Sequence, residues 1–314
     1  MINLSEINAF VKTAEELSFS KAAKRLHLSQ SAVSHNILSI EKSFSVTLFH
    51  RQGRTIQLTE VGKQILPAAK ELLLSAEYLE DKLKNATQKI QGNIFIGCST
   101  TTGNYLAPII LANFQVEHPN VKTSVTMDQN VKILKGLSDH SLDIAFMGRE
   151  VSKTNFESIR LFDDSLILVV PTNHPWAERL YVDRDELYDV PFIKRENSSG
   201  SFEVLNRNLL NSGIDPGKLN IISELGDAET VLMAVENGIG ITFTSELTAF
   251  RSLALGKIKK VDVFGVSIKH PVFAVRGRNR KQMVAAERLW EFILKNQNRL
   301  AQEFVSKLKN IGRI

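Results

Sequence analysis

The sequence predicts a two-part α/β protein, a small α-rich head followed by a larger body of alternating strands and helices. Three observations predict it. A chain of 314 residues exceeds what one hydrophobic core organises, so two or three domains are expected. Apolar residues recur at helical spacing from Ile7 to Ile40, then give way to two short runs around a Gln52-Gly53-Arg54 turn. From Gly92 onward, short apolar runs alternate with amphipathic stretches, as in a largely parallel sheet crossed over by helices.

Composition narrows the function classes. Hydrophobic residues at 43% and charged residues at 23% match globular domains and argue against disorder or a fibre. No apolar run approaches the ~20 residues that span a bilayer. The opening "MINLSEINAFVKTAEE" carries acids where a secretory signal would be basic and then apolar, so the expected compartment is the cytoplasm and no membrane partner is expected. The single cysteine, Cys98, cannot close an internal disulfide or supply a Cys-rich zinc site, and reads as core packing. The net charge of +5 is uneven. Residues 1–90 hold 12 Lys/Arg against 9 Asp/Glu, residues 276–314 hold 10 against 3, and the middle is acidic at 17 against 22. A basic head suggests a polyanionic partner.

In the head, Ile7, Phe10, Val11, Ala14 and Leu17 form the buried stripe of a first helix. Ser18 is placed to cap a second, "FSKAAKRLHL", whose Ala22 and Ala23 keep it thin enough for close approach. After the "HLSQ" turn, Ser29 is placed to cap a third helix by accepting from the amide of Ser31 or Ala32. Projection at about 100° per residue puts Ala32, Val33, Ile37 and Ile40 on an inner arc and Gln30, Ser31, Ser34, His35 and Ser39 on an outer one. Small hydroxyls, an amide and an imidazole pack poorly but suit the major groove of DNA, where they reach base edges or phosphates without bulk. A solvated amphipathic helix would show the same arc; the neighbouring hairpin decides between them. Residues 48–50 and 55–58 read as its strands, with Arg51 and Arg54 on the wing, where cations hold phosphates without reading sequence.

These residues, "FSKAAKRLHLSQSAVSHNILSIEKSF" followed by "VTLFHRQGRTIQLTEVGKQIL", resemble the winged helix-turn-helix of the LysR-type transcriptional regulators almost throughout. The resemblance implies double-stranded promoter DNA as partner, and the expected contacts are Ser29, Gln30, Ser31, Ser34, His35, Arg51 and Arg54. The chain departs from the family at His35 and Leu38, where basic residues are frequent, and near Ser45, where a glycine is.

Thr59 is placed to cap the next helix, and Ile65, Ala69, Leu72, Ala76, Leu79, Leu83, Ala86 and Ile90 follow at intervals alternating four and three. That is a heptad seam. A two-helix seam implies a homodimer, which would pair two reading helices on an inverted repeat; a single helix lying on its own domain would show much the same stripe. Pro67 removes one hydrogen bond within it, and a kink is expected there. The resemblance implies further assembly to a homotetramer.

In the body, "NIFIGC", "VKTSVTM" and "LDIAFMG" read as strands separated by helices, and a second set runs from "LILVV" through "PFIKR", "LNIIS" and "GITFT". The chain then returns with "PVFAVR" and a long final helix. Two lobes joined by strands crossing near Val170 and Val266 would enclose a cleft. The LysR resemblance extends from Gly92 to about Lys295 and implies a two-lobed, periplasmic-binding-protein-like effector domain. The expected domains are 1–58 for DNA binding, 59–91 for the linker helix and 92–314 for the effector domain. Within the last, lobe I takes 92–162 and 267–295, lobe II takes 163–266, and a helical tail takes 296–314. In that tail Leu300, Phe304, Leu308 and Ile311 lie at helical spacing among basic residues, fit either for packing against another subunit or for a supplementary DNA or membrane contact.

Two loops carry the ligand expectation. Ser99, Thr100, Thr101 and Thr102 lie between a strand end and a helix start, and Ser198, Ser199, Gly200 and Ser201 open another helix. Free amides and hydroxyls at such places favour an anion, although serine and threonine also simply cap helices. Arg149 and Thr244 would complete a clamp for a small anionic metabolite acting as co-inducer. The two loops also resemble the LysR-type regulators of sulfur assimilation and carbon fixation, which would imply a sulfur metabolite or a phosphorylated sugar acid. No enzyme is expected: no metalloprotease, P-loop, nucleophile-elbow or dinucleotide motif occurs, and "ENGIGIT" runs from helix to strand, the reverse of a dinucleotide fingerprint. No metal site or resident cofactor is expected, and solute capture outside the membrane would need export.

Overall fold

The structure, a computed structural model, describes the backbone at residues 3–52, 55–86, 90–195, 200–278 and 282–309, and side chains at those residues except 51, 52, 55, 200–203, 301 and 303–309. It divides into two compact units, Met1–Ala86 and Thr87–Ile314.

The first unit begins with α1 (Leu4–Glu16), α2 (Phe19–Leu26) and α3 (Gln30–Phe44). Each has a side-chain N-cap: Asn3 in a reciprocal box with Glu6, Ser18 accepting from the Lys21 amide, and Ser29 accepting from the Ala32 amide. Each also ends on a left-handed residue that is not glycine, namely Leu17, His27 and Ser45. Ser45 occupies the conformation for which glycine carries no steric cost. Ile7, Phe10, Val33, Ile37 and Ile40 form the shared core with Leu48 and Phe49, and Phe49 meets both Phe10 and Phe19 edge-on at 5.7 and 5.9 Å.

The wing is β1 (Phe49–Gln52) paired antiparallel with β2 (Thr55–Leu58). The first strand begins one residue later than the sequence suggests. Leu48 is withheld from the ladder because its amide donates to Glu41 Oε1 at 2.7 Å and its carbonyl accepts from the Thr59 amide at 3.0 Å. Helix α4 (Glu60–Lys84) starts at that junction, capped by Thr59. Gly62 is required there, since a Cβ would stand 2.4 Å from the Leu48 carbonyl oxygen. The helix runs continuously through Pro67, and its Ala69 is buried in the head core. Farther along, Leu72, Leu79 and Leu83 are 44%, 60% and 67% exposed. Ala86 and Ile90, expected on the same seam, lie beyond the helix end.

The second unit opens with β3 (Gly92–Cys98), α5 (Ala107–Glu117), β4 (Val121–Met127), α6 (Asn130–Ser138) and β5 (Ile144–Met147). Next come β6 (Phe156–Pro171), β7 (Tyr181–Val182), β8 (Phe192–Arg195), α7 (Gly200–Asn211), β9 (Ile221–Leu225) and α8 (Ala228–Glu236). The unit closes with β10 (Thr242–Ser245), α9 (Glu246–Ala254), β11 (Ile258–Val263), β12 (Ile268–Gly277) and α10 (Val284–Lys309). The main sheet runs β4-β3-β5-β12-β6-β11-β7, with β10 also on β6, while β8 and β9 pair separately. Its β4, β3 and β5 are parallel, but β6 and β12 run antiparallel to their neighbours, so the sheet is mixed where a largely parallel one was expected.

Strand β6 joins the lobes. Its Ile159, Leu161 and Phe162 pack in the lobe I core with Ile94, Ile96, Phe146 and Trp290. Its Leu166, Leu168 and Val170 pack in the lobe II core with Phe192, Leu205 and Leu209. The crossing therefore falls at residues 163–165, with Ile268 and Val272 bracketing the return on β12, rather than near Val170 and Val266. Charged residues at Glu157, Arg160, Asp163 and Asp164 disguise the first half of this strand in the sequence. The tail is not a separate element: α10 is continuous to Lys309, and Leu300 is buried in the lobe I core of its own chain.

Candidate functional site

The outer face of α3 is set by local geometry. Val33, Ile37 and Ile40 point inward, which leaves Gln30, Ser31 and His35 exposed and Ser34 half-buried. Ser20 on α2 donates to Gln30 Oε1 at 2.9 Å, so the amide carbonyl is fixed and the NH₂ is the end offered outward. Ser29 caps through its hydroxyl at 3.1 Å and also meets the Ser31 hydroxyl at 2.8 Å. Leu38 adds an exposed apolar group to this face, and Lys21 and Lys24 stand exposed on α2, cations that the sequence reading passed over. Ser39 departs from expectation: it donates to Glu6 Oε1 at 2.7 Å and ties α3 to α1. That bond is the first cause holding the Glu6 carboxyl below its usual range. Arg51 lies in β1 with its side chain outside the described residues, and Arg54 lies outside them altogether.

In the second unit a cavity of about 370 Å³ opens where the lobes meet. Lobe I contributes Thr101, and lobe II supplies the rest: Leu166 on β6 just past the crossing, residues of β8, α7, β9, α8, β10 and α9, and Pro216, Gly217 and Leu219 between α7 and β9. Of the expected ligand residues, Thr101 and Thr244 line it. Thr100 lies at its edge, where its hydroxyl accepts from Arg195 Nη2 at 3.2 Å and so links lobe I to lobe II. Tyr105, which also contributes to lobe I, makes a second link through a hydrogen bond to Glu229 on α8. Burial, and then that bond to a carboxylate, push the tyrosine pKa upward.

Other expected residues are used differently. The Thr102 hydroxyl is buried and donates to the Phe146 carbonyl at 2.6 Å while meeting the Ser99 hydroxyl at 2.9 Å. Both side chains are spent on holding the loop to β5. Arg149 is exposed and is not among the described residues lining the cavity. Ser198 and Ser199 lie outside the described residues, and Gly200 and Ser201 are described only as the backbone that opens α7. Lys194 and Arg195, expected only as the end of a strand, are cavity residues that were not among the expected ligand contacts. Two cations at the carboxyl end of a strand facing a cleft were the available signal.

Electrostatics around the crossing are unusual. Asp164 is almost fully buried and accepts from Ser245 Oγ and the Ser165 amide; burial pushes its carboxyl up to about 7. Across the ladder, His270 is its register partner. Burial lowers the His270 pKa, and its Nε2 donates to the Gly148 carbonyl at 2.9 Å. Cys98 is buried behind the loop, with its thiol pushed up to about 12 by desolvation, which makes it an inert packing group. Among the described residues no cluster of three or more His, Cys, Asp or Glu could hold a metal, and no helix is long and apolar enough to cross a membrane.

Comparison with known proteins gives the same two parts. Residues 4–63 match the bacterial regulatory helix-turn-helix protein model of the lysR family, and residues 87–298 match the LysR substrate binding domain. An uncharacterised helix-turn-helix transcriptional regulator of Methanocaldococcus jannaschii is 31% identical over 93% of this chain and 98% of its own. A probable RuBisCO transcriptional regulator of Cyanidium caldarium is 31% identical over 88% of each chain. Among solved structures, full-length CbnR in complex with its target DNA superposes with a TM-score of 0.62 at 21% identity, covering 93% of this chain and 99% of that one.

Proposed function

The chain belongs to the LysR family of transcriptional regulators, with a DNA-binding helix-turn-helix unit and an effector-binding unit, and from that premise we propose how it works. Helix α3 reads inverted-repeat promoter DNA through Gln30, Ser31, Ser34 and His35, with Ser29 at its start. Arg51 and Arg54 on the wing, joined by Lys21 and Lys24, hold phosphates. The observation that carries this reading is the outer face of α3, small and polar, with Gln30 oriented by Ser20. A Gln amide can meet an adenine edge, its NH₂ donating to N7 and its carbonyl, which has a second lone pair, accepting from N6.

The exposed Leu72, Leu79 and Leu83 support dimerisation along α4, with a tetramer of paired dimers as the working form in the cytoplasm. A small anionic metabolite enters the interlobe cavity, with Thr100, Thr101, Arg195 and Thr244 about it. By preferring one arrangement of the lobes it changes how the DNA-binding units are spaced. The C. caldarium relative's name supports a carbon-fixation setting.

The test is a gel-shift titration of the full chain against a genomic fragment library at moderate salt. The expected result is a small set of fragments bound at least 100-fold above the rest, with Arg51→Ala weakening all fragments alike and lowering the salt slope. Uniform binding to every fragment would contradict the reading.

A further inference from the structure

The proposed reading leaves open whether the effector is a compact oxyanion or an anion that carries an apolar body. We infer that the cavity takes a monocarboxylate with an apolar body of ring or medium-chain size, its carboxylate at Arg195 and its body inside lobe II. This inference rests on the cavity being the effector site.

The walls divide by chemistry. Thr101, Arg195, Thr244, Ser245 and Thr248 lie toward the lobe boundary, whereas Phe192, Leu205, Leu209, Leu219 and Phe243 belong to the lobe II interior. A compact, strongly hydrated anion would satisfy the first group and leave the second against water or empty space, and an apolar surface gains only when an apolar partner displaces that water. The size agrees. A cavity of about 150 Å³ holds one benzene ring, so about 370 Å³ has room for a ring or a medium chain together with its carboxylate.

Charge limits the ligand to one negative unit. Of the cations among the described lining residues, Lys194 is already paired with Glu224 at 2.9 Å. Arg195 has Asp227 in its field, a carboxylate held low first by its bonds to Thr230 and in smaller part by that guanidinium. Two of the helix starts beside the cavity carry acids of the chain itself. Asp227 caps α8, and Asp164 bonds to Ser245, the cap of α9. One guanidinium already facing Asp227 matches a single carboxylate, and a dianionic phosphate would bring a second negative charge beside that acid. A carboxylate seated at Arg195 would also compete for the bond that now ties it to Thr100, which places the ligand's charge on the link between the lobes.

The test measures binding to the full-length protein by calorimetry and thermal shift. One probe set is benzoate, indole-3-acetate and octanoate; the other is sulfate, thiosulfate, inorganic phosphate and 3-phosphoglycerate. The expected result is saturable binding of at least one apolar carboxylate, 10-fold or more tighter than any compact anion. Its neutral amide should bind at least 10-fold more weakly, and Arg195→Gln should bring the acid down to the amide's level. Ala228→Leu, at the half-buried edge of the cavity, should weaken the largest bound carboxylate while leaving the melting temperature close to that of the parent. Tighter binding of a compact anion, abolished by Arg195→Gln, would overturn this inference while leaving the effector site in place. Equal affinity for acid and amide would overturn the assignment of the charge to Arg195. No saturable binding from either set, in protein that still binds DNA, would remove the cavity as the effector site and this inference with it.

Discussion

The outer face of α3 and the interlobe cavity, the two surfaces proposed to meet ligands, are built in opposite ways. Gln30, Ser31, Ser34 and His35 lie within six consecutive positions, and a single helical period decides which way they face. The cavity gathers Thr101, Leu166, Arg195, Leu209, Ile221, Thr244 and Thr248 from different elements spread along the second unit. A local site inherits its geometry from one helix and its caps. An assembled site exists only when a sheet, two crossing strands and several helices are all in register, so changes far from the ligand can alter it.

The largest effect should come from breaking the support of the local site. Phe49→Ala removes a ring that packs edge-on against both Phe10 and Phe19. It should cost roughly 3–5 kcal/mol of the first unit's stability, read as an early thermal transition with loss of DNA binding while ligand binding by the second unit persists. Concurrent loss of both activities would show that the two units do not fold separately.

Next is the support of the assembled site. Asp164 titrates near 7 in the folded protein against an ordinary 3.8, so between about pH 4 and 7 the folded state keeps a proton that the unfolded chain has released. Its contribution is complete below about pH 4 and lost as the pH rises through 7. Asp164→Asn should remove this fall, which is roughly a few kcal/mol across the window, leaving the flatter of the two curves of unfolding free energy against pH. Parallel curves would contradict the assignment.

Two adjacent threonines sharpen the contrast within the cavity loop. Thr102→Val loses a buried hydrogen bond to the Phe146 carbonyl and should cost about 1–3 kcal/mol of stability. Thr101→Val, whose side chain lines the cavity, should change stability by less than about 0.5 kcal/mol and weaken the bound effector instead. On α3 the equivalent pair is smaller in effect. Ser39→Ala should cost about 0.5–1.5 kcal/mol without changing which fragments are preferred, whereas Gln30→Ala should relax preference at one base pair by about 1 kcal/mol or more. Identical fragment profiles for the two variants would sink the division of roles.

The same contrast explains what could be read from the chain. The three head helices, the caps of α2, α3 and α4 at Ser18, Ser29 and Thr59, and the buried Val33, Ile37 and Ile40 follow from period and capping chemistry alone. Ser39 was misplaced because projection shows a face but not the neighbouring helix that covers part of it. In the body, buried strands such as Ile144–Met147 announce themselves as apolar runs. The first half of β6 does not, because it carries four charged residues, one of them the buried Asp164. Helix α9 and strand β11 were missed, although Gly256, left-handed at φ 63°, marks the turn between them. In the cavity, Thr101 and Thr244 stand at strand and helix ends and were legible. Arg195 offered a signal as a cation at a strand's carboxyl end, but its bond to a lobe I threonine 95 positions away did not show in the sequence. Arg149 shows the converse error, a cation at a promising strand end that the fold leaves exposed.

The central claim is that the assembled site governs the local one. The most direct measurement is the affinity and footprint of the full-length protein on its preferred genomic fragment, at fixed salt, with and without a saturating carboxylate that it binds. The ligand is expected to change the affinity several-fold or to alter the length of the footprint. Arg195→Gln should abolish that change while leaving the ligand-free footprint as it was. The same affinity and the same footprint with and without bound ligand would contradict that claim.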